Sequence, residues 1–236
     1  MPKTTVHRQE VFSFHCLEVP FYKLPYYLYF YLKGKKPQGL LHAEVLLRMQ
    51  LGEPLFSKQR YHFSQVVLVA HWESEEDLEF FLHQSKQDPI HLGWQIRLRL
   101  YRRWGKIREI ESAAIYQKNF DVKAFMAAIT LARLKLTQVF RFTKWGKPVE
   151  KQVRDHPGKK IAFAAFRPFR SFLTFSIWNS ESEMIQMVQG RKADRDGLEH
   201  KHAMEERNRN DFHSEFTTLR FEILKEERML TKDSFR

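Results

Sequence analysis

From Phe172 to Trp178, large apolar side chains alternate with Thr174 and Ser176, the two-residue period of a strand that buries one face. Asn179 and Ser180 interrupt the alternation. Ser180 and Glu183 then stand at the spacing of a capping box, in which the hydroxyl accepts from the N–H three residues on and the carboxylate returns to the cap's own N–H. Met184, Met187 and Val188 follow at i, i+3 and i+4, one face of a short helix. The stretch from residue 65 to residue 82 repeats this order. An apolar strand ends at Trp72, Ser74 and Asp77 have the cap spacing, and Leu78, Phe81 and Leu82 share a helical face. A strand, a tryptophan, a serine cap and an amphipathic helix, met twice, predict a duplicated chain of two similar modules.

The remaining pattern fills in both modules. Val11 to Glu18 alternates as a first strand, and Leu40 to Gln50 is read as a second. From Gly93 to Arg103, Trp94, Ile96, Leu98 and Leu100 face one side and Gln95, Arg97 and Arg99 the other, a half-buried antiparallel strand. In the second half a strand is expected over Ile110 to Gln117. Asp121 is expected to cap a helix from Val122 to about Phe140. Lys144 to Lys160, with Pro148, Pro157 and Gly158, reads as an irregular basic segment. Strands follow at Ile161 to Phe166 and Phe216 to Leu224, with a charged helix over Leu198 to Asp211 between them. Each half then runs strand, helix, strand, strand, helix, strand, the ferredoxin-like order. The expected fold is α+β, with halves at 1–107 and 108–236 packed as one dimeric-α+β-barrel-type domain around an apolar space.

Composition narrows the chemistry. The formal charge is +12, but the basic residues are scattered and no zinc-finger spacing, RNP-like stretch or helix-turn-helix accompanies them, so no specific nucleic-acid partner is expected. The aromatic run Pro20 to Leu32, followed by lysines, suits transient contact with a membrane surface. It is too short to span a bilayer, and no secretory segment is expected from Met1 to Glu10. Cys16 is the only cysteine among 236 residues, which excludes an internal disulfide and a multi-cysteine metal site and fits a reducing cytoplasm. No histidine pair has helical metal-ligand spacing, and no phosphate-binding glycine loop or nucleophile elbow is present. Nothing in the pattern sets the oligomeric state.

His156-Pro157-Gly158, the strand IAFAAF and the passage LTFSIWNSESEM resemble the spheroidene monooxygenase family's Pro-Gly, strand and "TFSIW-P-D" passage, with Asn179-Ser180 in place of Pro-Asp. His202-Ala203 and the closing strand FTTLRFEIL are similar to the family's His-Ala helix start and final strand. The resemblance implies a heme-dependent monooxygenase inserting oxygen into a hydrophobic, carotenoid-like substrate. It puts the iron ligand at His202, with His200 its neighbour on the same helix; two residues apart, these point about 200° away from each other and cannot share one axial position. Arg167 and Arg170 are candidate partners of heme propionates. Trp72, Trp178, Phe163, Phe166 and Phe175 are candidate walls of the substrate pocket, and each is equally a core residue. The alternatives are a barrel that binds a small apolar ligand or heme without turnover, and a structural or interaction module with a filled core.

Overall fold

Strands with one apolar face hide it by closing on one another, and here eight of them form a closed barrel in the computed structural model. Residues 8–29, 31, 36–84, 90, 92–117, 124–189 and 199–227 are described. The first half comprises β1 (Val11–Glu18), α1 (Leu24–Tyr29), β2 (Leu40–Met49), β3 (Tyr61–Trp72), α2 (Glu75–Gln84) and β4 (Trp94–Lys106). The second comprises β5 (Met126–Leu134), α3 (Val139–Asp155), β6 (Lys159–Arg167), β7 (Ser171–Trp178), α4 (Glu181–Gln189), α5 (Glu199–Arg209) and β8 (His213–Glu227).

Neighbouring strands are all antiparallel, in the order β1-β3-β2-β6-β7-β5-β8-β4. Sheet β4-β1-β3-β2 and sheet β8-β5-β7-β6 are therefore equivalent, which establishes the α+β barrel of two ferredoxin-like units. Their two seams differ. β4 and β8 pair from Gln95↔Glu227 to Lys106↔Phe216, whereas β2 and β6 pair only at Leu47↔Phe166, Arg48↔Ala165 and Met49↔Ala164.

The duplication extends to single hydrogen bonds. Ser74 Oγ accepts from Asp77 N–H at 3.2 Å, and Ser180 Oγ accepts from Glu183 N–H at 3.3 Å. The carbonyl of Gly39 accepts from Glu73 N–H at 2.8 Å, and that of Gly158 from Asn179 N–H at 2.9 Å. Gly39 has φ +68°, and a Cβ there would fall 2.2 Å from Asp77 Cγ, so both backbone and space require glycine.

Strand alternation sends one set of side chains inward and the other out under the helices. Phe14, Trp94, Phe163 and Phe175 fill the barrel, with Phe14 and Phe175 stacked at 4.1 Å. Trp72 belongs to the layer beneath α1 and α2, and Trp178 to the layer beneath α3 and α4. Among the described residues no helix is long and apolar enough to cross a membrane.

Two expectations for the second half give way. Residues 126–134 form β5 rather than a helix, and residues 139–155 form α3 rather than an irregular segment. MAAITLAR satisfies both periods. The strand wins because Ala127, Ile129 and Leu131 fill the barrel while Ala128 and Ala132 leave room above them for the helices. In α3, Phe142, Trp145, Gly146, Val149 and Val153 make one face, and Pro148 is accommodated on the exposed side. Residues 110–117 hold a 3₁₀ turn and irregular chain instead of a strand. Asp121 and the segment 191–198 lie outside the described residues.

Candidate functional site

A cavity of about 210 Å³ separates the outer face of β5, β7 and β8 from α3, α4 and α5. The middle of the sheet face there is built of small side chains, Ala128, Ala132, Thr130, Thr174, Ser176 and Thr218, with Phe172, Trp178 and Phe216 around them. These small residues leave the space open where the large side chains of the helices hold them off the sheet. Its other wall is apolar and aromatic, from Phe142, Trp145, Met184, Met187 and Met204. Gly146 faces the cavity from α3. A Cβ built on it meets nothing nearer than Phe142 at 3.9 Å, so the helix backbone lies open to anything flat placed against it. Glycine inside a helix costs roughly 0.5–1 kcal/mol relative to alanine.

Two histidines point chemistry into this apolar space. His200, in the first turn of α5, lines the cavity with Ala203, Met204 and Arg207, the i, i+3, i+4, i+7 stripe of that helix. Its ring is hydrogen-bonded to the carbonyl of Val188, which fixes its orientation. Burial pulls its pKa below the ordinary histidine value, with the Val188 carbonyl opposing, so the imidazole is neutral near neutral pH. Gln152 of α3 ties this corner together, accepting from His200 N–H at 3.2 Å and donating to the Met187 carbonyl at 2.7 Å.

His213 opens β8 and is only 7 % exposed. Asp211 accepts hydrogen bonds at 2.9 Å from both its backbone N–H and its Nδ1. The proton is thereby held on Nδ1, and Nε2 is left as a buried acceptor with no hydrogen-bond partner among the described residues. Burial lowers the His213 pKa, and the Asp211 carboxylate only partly restores it. Arg207 completes the charged edge, with its guanidinium 3.5 Å from Asp211 and 4.2 Å above the Phe216 ring. His213 and Arg207 carry no signal in the sequence beyond the spacing Asp-Phe-His and a charged helix.

A second cavity, of about 400 Å³, adjoins the first along α3 and shares Phe142, Glu150 and Phe172 with it. It opens where the β2–β6 seam is short. Together the two reach the size range of cofactor and drug-sized ligand sites. Arg60 and Glu150 form a buried bidentate pair on its wall, at 2.8 and 3.0 Å.

The residues singled out in the sequence are dispersed by the fold. His202 is exposed on the solvent side of α5 and lines neither cavity, because two residues along a helix turn it away from His200. Trp178 lines the first cavity, where its indole N–H donates to Ser176 Oγ at 2.8 Å. Phe166, Arg167 and Arg170 line the second cavity. Phe163 and Phe175 point inward and are consumed by the barrel core, and Trp72 packs on Phe81 in the other half. The pocket walls expected from these three are core instead. Cys16 is buried inside the barrel, and burial pushes its thiol up to about 11, which makes it inert.

No protein-family model matches the chain, and no curated protein is similar to it in sequence. Solved structures are similar in fold. An aldoxime dehydratase in complex with butyraldoxime superposes at a TM-score of 0.60 and 8% identity, over 93% of this chain and 80% of that one. A second aldoxime dehydratase structure gives 0.57 and 8%, over 94% and 83%. A heme-degrading enzyme from Listeria monocytogenes is similar at 12% identity over 89% and 99%, but its TM-score of 0.30 carries no argument. At these identities the likeness is one of architecture: the chain shares the α+β barrel of these proteins.

Proposed function

We propose that the chain binds heme in the adjoining cavities under α3, against β5, β7, β8 and helices α3 to α5, where His200 would hold the iron, and acts as a monooxygenase-type oxidoreductase on a hydrophobic, carotenoid-like substrate. The observation that carries this reading is a neutral imidazole with a fixed ring, set in the wall of an apolar cavity beside an open helix face at Gly146. It joins the resemblance of the second half to the spheroidene monooxygenases. A heme bound there would supply the redox and oxygen chemistry that no side chain of this protein has.

The chain's own residues would do the rest. The Val188 carbonyl, hydrogen-bonded to the His200 ring, would orient it. Arg207 offers a guanidinium at the cavity edge to a propionate carboxylate. Phe142, Trp145, Met184 and Met187 keep water out and give a long apolar substrate contact area. His213 is a buried base that lines this cavity, and its Nε2 has no hydrogen-bond partner among the described residues. Held by Asp211, its Nε2 can accept a hydrogen bond or a proton from whatever lies against it. That same nitrogen supports a second reading, in which the occupant is a small apolar molecule with one polar head, as butyraldoxime is for the dehydratase of this fold.

A heme titration followed by absorbance tests the reading. The wild-type chain should develop a Soret band that saturates at one heme per chain, and His200→Ala should lose or shift it. His202→Ala and His213→Ala should keep it. No band in the wild type, or an unaltered band in His200→Ala, overturns the assignment. Small aldoximes and polyenes added to the heme-loaded chain separate the two substrate classes by which of them moves the band.

A further inference from the structure

Three separated segments meet at the mouth of the second cavity, and each brings an apolar side chain that is exposed among the described residues. Phe169, at the β6–β7 turn, is 88 % exposed, Phe140 of α3 74 %, and Leu136 62 %. Phe56, beside the lining residue Leu55, is 86 % exposed. Phe169 is the only residue other than glycine with positive φ among those described, at 58°. A left-handed phenylalanine costs of order 1 kcal/mol or more, and here the strain presents the ring to solvent instead of burying it.

Charge in the same segments is of one sign. Residues 54–60, 134–149 and 166–172 contain no aspartate or glutamate. Lys58, Lys135, Lys144 and Arg170 are exposed there; Arg170 follows Phe169 and Arg167 stands two residues before it. The Arg170 guanidinium lies 3.8 Å from Glu109 and Arg167 lies over the Tyr29 ring at 5.5 Å. Tyr29 belongs to the aromatic segment around α1, so this segment borders the same mouth rather than forming a surface of its own. A flat partner protein would need to match isolated tips on three segments. A bilayer adapts to such tips, dissolves apolar rings, and places anionic head groups at the level of the flanking cations.

We infer that this rim docks on an anionic lipid surface, with Phe169, Phe140, Leu136 and Phe56 entering the acyl boundary and the arginines and lysines meeting the phosphates, so that an apolar molecule can pass from the bilayer into the cavity. The inference does not depend on heme.

Flotation of the full chain with vesicles tests it. Binding to phosphatidylcholine vesicles containing phosphatidylserine, absent or much weaker with phosphatidylcholine alone and reduced by salt, is the expected result. Phe169→Gly should weaken binding roughly tenfold by removing one buried aromatic ring. The same variant relieves the positive φ, so its unfolding midpoint should hold or rise, which separates lost docking from lost folding. Phe80→Ser, at an exposed aromatic on α2, is the control and should bind as the wild type does. The inference is overturned if the wild type binds neither vesicle, if Phe169→Gly binds unchanged, or if Phe80→Ser loses as much. It is equally overturned if vesicle binding is absent and Phe169→Gly instead turns a dimer into a monomer, which would make the rim an interface between copies of this chain.

Discussion

Arg60→Ala lowers the free energy of unfolding by about 3–5 kcal/mol, because it strands a buried carboxylate. Arg60 closes the β2–β3 connection of the first half, and Glu150 lies on α3 of the second. Both side chains are under a tenth exposed, and the fork-to-fork pair is supplemented by Gly52 N–H, which donates to Glu150 Oε2 at 2.8 Å. Arg60 also donates to the Glu53 carbonyl. Without the guanidinium, Glu150 keeps one backbone donor and faces two apolar cavities. The desolvation of the charge is then uncompensated. Denaturant unfolding measures the loss. The pair itself is a weak source of net stability, so Arg60→Met combined with Glu150→Leu should recover most of what the single variant loses. Equal losses in the single and double variants would show that lost packing, and not the stranded charge, sets the cost.

The position of this pair explains why it matters for the site. β2 and β6 share only three paired residues, so the first half holds α3 in place chiefly through side chains. Besides Glu150, Arg154 of α3 reaches the Leu51 carbonyl at 3.4 Å. From the other flank, Arg141 grips the Glu206 carboxylate of α5 at 2.7 and 3.0 Å. α3 is thus a lid fixed by three arginine contacts over a floor of small residues, and the cavities are the space it spans.

How much of this was legible in the sequence depends on the range of the interaction. The two tryptophan–serine–helix units were readable because caps and strand periods are local; they imply the duplication, and the order of the strands and helices around them implies the α+β barrel. β5 was not readable. MAAITLAR fits a helix and a strand equally, and only its central place between β7 and β8 decides. α3 carried its 142-145-146-149-153 stripe openly, but Gly146 and Pro148 masked it. The choice between His200 and His202 was also available. Only His200 shares the stripe of Ala203, Met204 and Arg207, and that stripe outweighs the His-Ala resemblance at His202. Phe163 and Phe175 could not be told from pocket walls, since alternation gives a side of the strand and not which side holds the cavity. His213 depends on burial and on an idle nitrogen, which only coordinates reveal.

Acid should cost this barrel stability through Glu44 in particular. The inward positions of β2 are Glu44, Leu46 and Arg48, so a carboxylate stands inside the barrel, 1 % exposed. It is met by Arg133 of β5 at 2.6 Å, by the Ser171 hydroxyl of β7 at 2.6 Å and by His42 at 3.4 Å. Burial alone would raise its pKa. The hydrogen bonds from His42, Arg133 and Ser171 and the charge of Arg133 outweigh burial and hold it at about 2, against 4.5 for an ordinary glutamate. A depressed folded-state pKa contributes stability that is fully present above the unfolded value and disappears as pH falls toward the folded one. The window therefore lies between about pH 5 and pH 2, and the shift corresponds to about 3 kcal/mol. Glu44→Gln removes the titration. Its deficit against the wild type should be about 3 kcal/mol near neutrality and shrink toward zero by about pH 2, read from urea unfolding across that range. A deficit that stays constant with pH would mean that the side chain serves by shape and hydrogen bonding alone. Arg133 would remain satisfied in that variant by Glu109 at 3.1 Å and Glu215 at 3.7 Å, so the change isolates the Glu44 charge. With this ion pair at one position of the interior and stacked phenylalanines filling the rest, the inside of the barrel has no room for a ligand, and binding is left to the layer between sheet and helices.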